Sequence, residues 1–103
     1  MKLKIKESKL NNSLDIIRQE IDKIDSNIIL LLQERMKRCV KISKLKPIIY
    51  DPVREKQILD KLSSDASEML DKQFITNLYN LIFTQSKKLQ QQEKNSENDK
   101  KDF

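Results

Sequence analysis

The stretch LDIIRQEIDKIDSNIILLLQERMKRCVKISKLK, residues 14–46, determines how this chain folds. No glycine or proline interrupts it, and its apolar residues recur at alternating spacings of three and four: Leu14, Ile17, Ile21, Ile24, Ile28 and Leu31. Asn12 or Ser13 can cap its start, while Pro47 disfavours helical geometry at Lys46. The pattern predicts one long helix from Asn12 to about Lys46.

Two shorter helices are expected after the long one. Asp51 can accept hydrogen bonds from the free N–H groups of a helix start, and Pro52 suits the first helical position. The second helix would bury Ile58, Leu59 and Leu62. After a polar connection, Asp71 can cap a third helix, whose apolar stripe contains Ile75, Leu78, Ile82 and Leu89.

The predicted elements divide the chain into a lead-in (1–11), a helical domain (12–92) and a charged tail (93–103). The tail is too polar to bury enough apolar surface to become ordered, so we expect disorder there. Helices of such unequal length, the first roughly 50 Å long, cannot fold compactly as one chain. We therefore expect an all-α fold with one long, one short and one medium helix per chain, forming an intertwined homodimer.

The composition excludes several classes of enzyme. The 103 residues include no histidine and no glycine, which removes histidine-based catalysis, most zinc sites and every glycine-rich phosphate loop. With 36% charged against 37% hydrophobic residues, the chain has little apolar material for a large core of its own. We expect no cofactor and no metal.

Charge and cysteine content indicate the compartment and the partners. Cys39 is the single cysteine, the N-terminus lacks the apolar region of a signal peptide, and no apolar run approaches membrane-spanning length. A cytoplasmic protein without membrane contact is expected. The net charge of +5 is compatible with nucleic acid, with an anionic small molecule, or with solvated lysine-rich faces, and we favour the last.

Cations lie on the apolar seam of the long helix. Arg35 follows Leu14, Ile21 and Ile28 at the same heptad position. Lys46, eleven residues further on, returns to within roughly 20° of the direction of Arg35. Arg18 lies about 25 Å away along the helix axis, so one straight helix cannot bring both arginines to one ligand. Antiparallel pairing of two long helices would bring Arg18 of the partner subunit to the Arg35 end.

Polar residues also continue the inward stripes of the other two helices. Arg54 and Glu55 extend the stripe of helix 2 towards its start, one turn after Asp51. Ser86 and Gln90 continue the stripe of helix 3, and buried polar groups need partners. Taken singly, each has a structural explanation, such as an ion pair, a cap or a serine bonded to its own backbone. Together they are typical of one enclosed binding cavity.

With these features the chain resembles the all-helical chorismate mutases, over about residues 14–90. Residues 14–25 resemble the opening helix of that family, Gln33-Glu34-Arg35-Met36 its second arginine motif, and residues 51–55 its helix 2 start. The resemblance implies a cytoplasmic, homodimeric isomerase that rearranges chorismate to prephenate without cofactor or metal. It further implies a place in phenylalanine and tyrosine biosynthesis.

The resemblance assigns roles to the polar residues already singled out. It implies that Arg35 and Arg18 of the partner subunit hold the substrate carboxylates, with help from Ser86. It implies that Lys46 and Gln90 hydrogen-bond the ether oxygen of the breaking bond.

The same resemblance also implies roles for residues at the start of helix 2 and at the end of helix 1. It implies that Glu55 and Asp51 engage the region of the ring hydroxyl, that Arg54 organises the site, and that Ile42 supplies backbone and packing contacts. Arg35, Lys46, Gln90 and Glu55 would thus be the catalytic set.

The residues present suit this reaction, because a concerted rearrangement needs shape and fixed charge rather than a nucleophile or a histidine. Position 90 is glutamine rather than a carboxylic acid, which would have to stay protonated to donate a hydrogen bond. The sequence therefore predicts activity at neutral pH. One departure is the connection Pro47–Tyr50, which is shorter than is usual in the family.

Two other functions remain open from the sequence. An isochorismate pyruvate lyase on the same fold would share the arginines and the lysine, although Glu55 and Ser86 favour the mutase. A non-catalytic helical dimer could bind nucleic acid through its lysines. The absence of tryptophan and the few tyrosines and phenylalanines disfavour base stacking, so we expect no nucleic acid partner.

Overall fold

A computed structural model describes the backbone of residues 2–101 and the side chains of residues 12–98. It contains three helices: α1 (Lys2–Ser43), α2 (Pro52–Ser63) and α3 (Lys72–Lys101). Their lengths of 42, 12 and 30 residues confirm the all-α class and the order of one long, one short and one medium helix. Across the described residues, no helix combines the length and the apolar character that a membrane crossing requires.

Both boundaries of α1 differ from the prediction. The helix begins at Lys2 rather than Asn12, because nothing before residue 12 interrupts it, so Asn12 and Ser13 are interior residues rather than caps. It ends at Ser43 rather than Lys46. There the backbone N–H groups of Lys44 and Leu45 bond the carbonyls three residues earlier, at 3.2 Å and 2.9 Å, and tighten the last turn before Pro47.

The predicted starts of α2 and α3 are confirmed. Oδ1 of Asp51 accepts a hydrogen bond from the backbone N–H of Arg54 at 3.0 Å, and Pro52 is the first residue of α2. Oδ1 of Asp71 accepts from the backbone N–H of Phe74 at 2.8 Å. Each aspartate thus satisfies a donor that the helix itself leaves unpaired.

The segment expected to form the tail continues α3 from Glu93 to Lys101. The segment contains neither glycine nor proline, and its side chains find partners. Nε2 of Gln91 bonds Oδ1 of Asn95 at 2.9 Å, and Nζ of Lys94 bonds the carbonyl of Lys46 at 3.0 Å. These contacts offset part of the ordering entropy that composition alone suggested would dominate. Residues 102 and 103 lie outside the described residues.

The chain divides into two compact units, the first ending at Arg35 and the second beginning at Met36. In the second unit α2 packs against α3, and the buried apolar residues are Ile75, Ile82 and Phe83. The ring of Phe83 lies edge-on to that of Tyr79, with centroids 5.9 Å apart. Phe83 and the buried Ser43 were not among the expected core residues.

The first unit is described for its side chains from Asn12 to Arg35. Every residue from Asn12 to Leu31 is exposed, including the apolar seam that predicts the helix. The seam residues Leu14, Ile17, Ile21, Ile24, Ile28 and Leu31 are 44–68% exposed. Such a continuous apolar stripe is a surface for another element to cover.

Candidate active site

Ser86 and Gln90 lie one turn apart on α3 and are buried, with 6% and 5% of their surface exposed. Nε2 of Gln90 donates to the carbonyl of Cys39 at 2.8 Å. Oγ of Ser86 donates to the carbonyl of Ile82 at 2.8 Å and lies 3.3 Å from the sulfur of Met36. The helical stripe predicted both buried positions, and packing against the last two turns of α1 holds both side chains in place.

The bond from Gln90 to Cys39 determines what the amide can offer a ligand. A primary amide carries two donor hydrogens and one carbonyl oxygen, and this bond uses one hydrogen. The bond fixes the side chain, and its second N–H is a potential donor. A buried donor that needs no reorganisation is the kind of group that stabilises a developing negative charge.

Glu55 has a partner that the sequence analysis missed. Its Oε2 lies 3.2 Å from Nζ of Lys87, and the two side chains are only 24% and 33% exposed. The same ammonium lies 4.7 Å from the ring centroid of Tyr50. The sequence offered a signal for a lysine near the site. Lys87 directly follows Ser86 and comes one helical turn after Phe83 on α3. The pair joins the start of α2 to the middle of α3 and orients the carboxylate.

Asp51 and Arg54 are exposed at the start of α2. The carboxylate of Asp51 is the cap described above, so it has a structural task independent of any ligand. The donor to the Asp51 carboxylate is the backbone N–H of Arg54.

Lys46 is placed differently from the prediction. The helical repeat that aligned it with Arg35 and Ile42 does not apply, because α1 ends at Ser43. The backbone N–H of Lys46 still bonds the carbonyl of Ile42 at 3.2 Å. Its ammonium, however, donates to the carbonyl of Ile49 in its own loop at 3.1 Å. The early helix end and Pro47 are the physical reason for the change.

The remaining predicted residues lie along α1. Ile42 is 47% exposed near the end of the helix, in the second unit. Arg18 is exposed and Arg35 is partly exposed, and both belong to the first unit. Their separation of seventeen residues on one continuous helix keeps them apart within a single chain, as predicted.

Comparison with known proteins agrees with the resemblance seen in the residues. The sequence profile of type II chorismate mutases matches residues 17–91. The bifunctional chorismate mutase/prephenate dehydratase of Buchnera aphidicola is 41% identical over 81 residues, which is 74% of this chain and 21% of that protein. The protein of the same description from Escherichia coli K12 is 33% identical over 85 residues, which is 78% of this chain and 22% of that protein.

The chain therefore spans about a fifth of the length of these curated relatives. Among solved structures, the crystal structure of chorismate mutase from Helicobacter pylori in complex with prephenate matches with a TM-score of 0.73. That match has 34% sequence identity and covers 78% of this chain and 91% of the other. Since the profile spans most of the chain and the fold agrees with it, this protein belongs to the type II chorismate mutase family.

Proposed function

We propose that this protein is a chorismate mutase, an isomerase that converts chorismate to prephenate. The observation that carries the proposal is the buried amide of Gln90, held by the carbonyl of Cys39 at 2.8 Å in a chain of this family. The Helicobacter pylori relative is described with prephenate bound, which supports the same small molecule here. The activity serves phenylalanine and tyrosine biosynthesis, and the single Cys39 is in keeping with a reducing cytoplasm.

The reaction is a concerted rearrangement in which one C–O bond breaks while one C–C bond forms. No nucleophile or proton transfer is needed, so catalysis consists of holding the reactive conformer and stabilising charge. Negative charge develops on the ether oxygen in the transition state. The second N–H of Gln90 and the ammonium of Lys46 are the donors that we assign to that oxygen.

Lys46 has to change its partner to perform this role. In the structure its ammonium donates to the carbonyl of Ile49, a neutral acceptor in the same loop. A lysine side chain is a flexible stem carrying three donors. An anionic ligand is a stronger acceptor than a neutral carbonyl, so substrate would draw this ammonium into the site.

The other residues recognise the substrate in this proposal. Arg35 and Arg18 of the partner subunit bind the two carboxylates, and Ser86 assists one of them. Guanidinium groups suit carboxylates because their donors form a planar fork.

The polar end of α2 would face the substrate ring. Glu55, kept in place by Lys87, and Asp51 engage the region of the ring hydroxyl. Arg54 organises that side of the site, and Ile42 provides packing contacts. The ion pair with Lys87 supports the role of Glu55 because it holds the carboxylate in one orientation.

A homodimer completes the site. The apolar seam of the first unit is exposed in the single chain, and burying it against another copy would stabilise both by roughly 25 cal/mol per Å² of apolar area. Antiparallel pairing of two α1 helices would also bring Arg18 of the partner subunit to the Arg35 end. One interface would thus account for stability and for substrate binding.

The test is turnover of chorismate by the purified protein, followed by absorbance, with prephenate identified as the product. Gln90→Ala should lose roughly 3 kcal/mol of transition-state stabilisation, which is about a hundredfold in rate. Gln91→Ala is the matched control, since Gln91 is exposed and bonds only towards Asn95 within the described residues. Absence of turnover by a folded dimer would overturn the proposal, and pyruvate release from isochorismate would indicate the lyase instead.

A further inference from the structure

The described end of α3 contacts the loop that carries Lys46. Nζ of Lys94 donates to the backbone carbonyl of Lys46 at 3.0 Å. Nζ of Lys44, two residues before Lys46, lies 3.5 Å from Oε1 of Glu93. Two neighbouring residues of α3 thus hold two positions of the same short loop, although composition predicts that this segment is disordered.

The loop needs such support because it is neither helix nor strand. Between Ser43 and Pro52 the backbone leaves α1, turns at Lys44 and Leu45, bends at Pro47 and enters α2. The carbonyl of Lys46 lies three residues beyond the end of α1, and a charged donor bonds such a carbonyl more strongly than a neutral one does. The ammonium of Lys94 supplies that donor, and both Lys94 and Lys46 are partly buried.

We infer that Glu93 and Lys94 are positioning residues that hold the Lys46 loop in the geometry needed for catalysis. The inference rests on the proposed function, in which the ammonium of Lys46 stabilises the ether oxygen. Lys94 does not touch substrate and acts through the backbone of Lys46. Glu93 and Lys94, in the charged continuation of α3, therefore support the active site through the Lys46 loop.

The geometry explains why the effect should appear in kcat. If the carbonyl of Lys46 is released, the loop and its ammonium sample more positions. A misplacement of about 1 Å at a catalytic group can cost about a hundredfold in rate. Charge on the ether oxygen develops only in the transition state, so a misplaced donor lowers kcat more than it raises KM.

The first experiment compares lysine variants on α3 in the full-length protein. Lys94→Met should lower kcat about tenfold with KM changed less than threefold, and Lys94→Arg, which keeps a charged donor, should recover most of the rate. Lys88→Met removes the same charge from an exposed position on the same helix and should match the wild type. Glu93→Gln, which weakens the half-exposed pair with Lys44, should have the smaller effect.

The second experiment does not use chorismate. Amide hydrogen exchange of residues 44–50 should be faster in Lys94→Met than in the wild type and unchanged in Lys88→Met, with melting curves showing that both variants remain folded. Unchanged exchange in Lys94→Met would overturn the anchoring, and faster exchange with an unchanged kcat would overturn the positioning role. A wild type that does not turn over chorismate would refute the proposed function, while exchange would still decide whether Lys94 holds the loop.

Discussion

The two units of this chain differ in how far their side chains are buried and paired with one another. From Asn12 to Leu31 every residue of α1 is exposed, apolar and polar alike. From Met36 onwards the chain has buried apolar residues, buried polar residues with partners, and ion pairs between its elements. The first unit presents an apolar surface, whereas the second holds the polar groups of the proposed site other than Arg18 and Arg35. Under the proposed function, the exposed part of α1 would serve assembly, and its last turns, from Met36 to Ser43, would belong to the framework of the site.

The largest effect is expected from a charge on the exposed seam. Ile24→Asp would place an unpaired carboxylate in the proposed interface of each subunit, at a cost of several kcal/mol each. Sedimentation should show loss of the dimer, and turnover should fall below detection because Arg18 of the partner subunit is removed.

Ser26→Asp is the control for the seam, since it adds the same charge on the opposite side of the helix. It should leave the dimer and the rate close to those of the wild type. A dimer that persists in Ile24→Asp would contradict the assignment of the seam as the dimer interface, and with it the contrast between the two units.

The next largest effect concerns the buried donor of the second unit. A carboxyl group at position 90 donates a hydrogen bond only while protonated, so Gln90→Glu should lose roughly a hundredfold in kcat at neutral pH. Activity should return as the pH falls and disappear as it rises through the titration of that group. A pH–rate profile as flat as that of the wild type would show that the amide N–H of Gln90 is not the working donor.

A smaller effect is expected at the ion pair between α2 and α3. Lys87→Met removes the cation that orients Glu55 and should lower kcat/KM about tenfold, in the range of a charge-assisted bond. A double-mutant cycle with Glu55→Gln should give less than the sum of the two single losses. Additive losses would mean that the two residues act separately and would weaken the idea of a pre-assembled second unit.

The smallest effect is local to the start of α2. Asp51→Ala should reduce the free energy of unfolding by about 1 kcal/mol through loss of the cap. Asp51→Asn should retain most of that stability, because asparagine caps nearly as well. Thermal melts of the two variants measure the difference. Equal destabilisation by both would indicate that the charge of Asp51, rather than its capping bond, stabilises the second unit.

Much of the fold follows from local patterns. The spacing of Leu14 to Leu31 predicts the long helix, and Asp51, Pro52 and Asp71 predict the starts of the other two. Helix ends without a clear stop signal were harder to place. Lys2 begins α1 and α3 runs to Lys101, because no glycine or proline limits either segment.

The sequence by itself determined the three helices, the apolar seam of α1, and the burial of Ser86 and Gln90. These properties depend on periodicity and capping, which involve residues a few positions apart. Only the tertiary structure decided that Gln90 bonds Cys39, that Lys87 holds Glu55, and that Lys94 holds the backbone of Lys46. These partners are 51, 32 and 48 residues apart along the chain, so the packing of α3 brings them together and no local spacing encodes them.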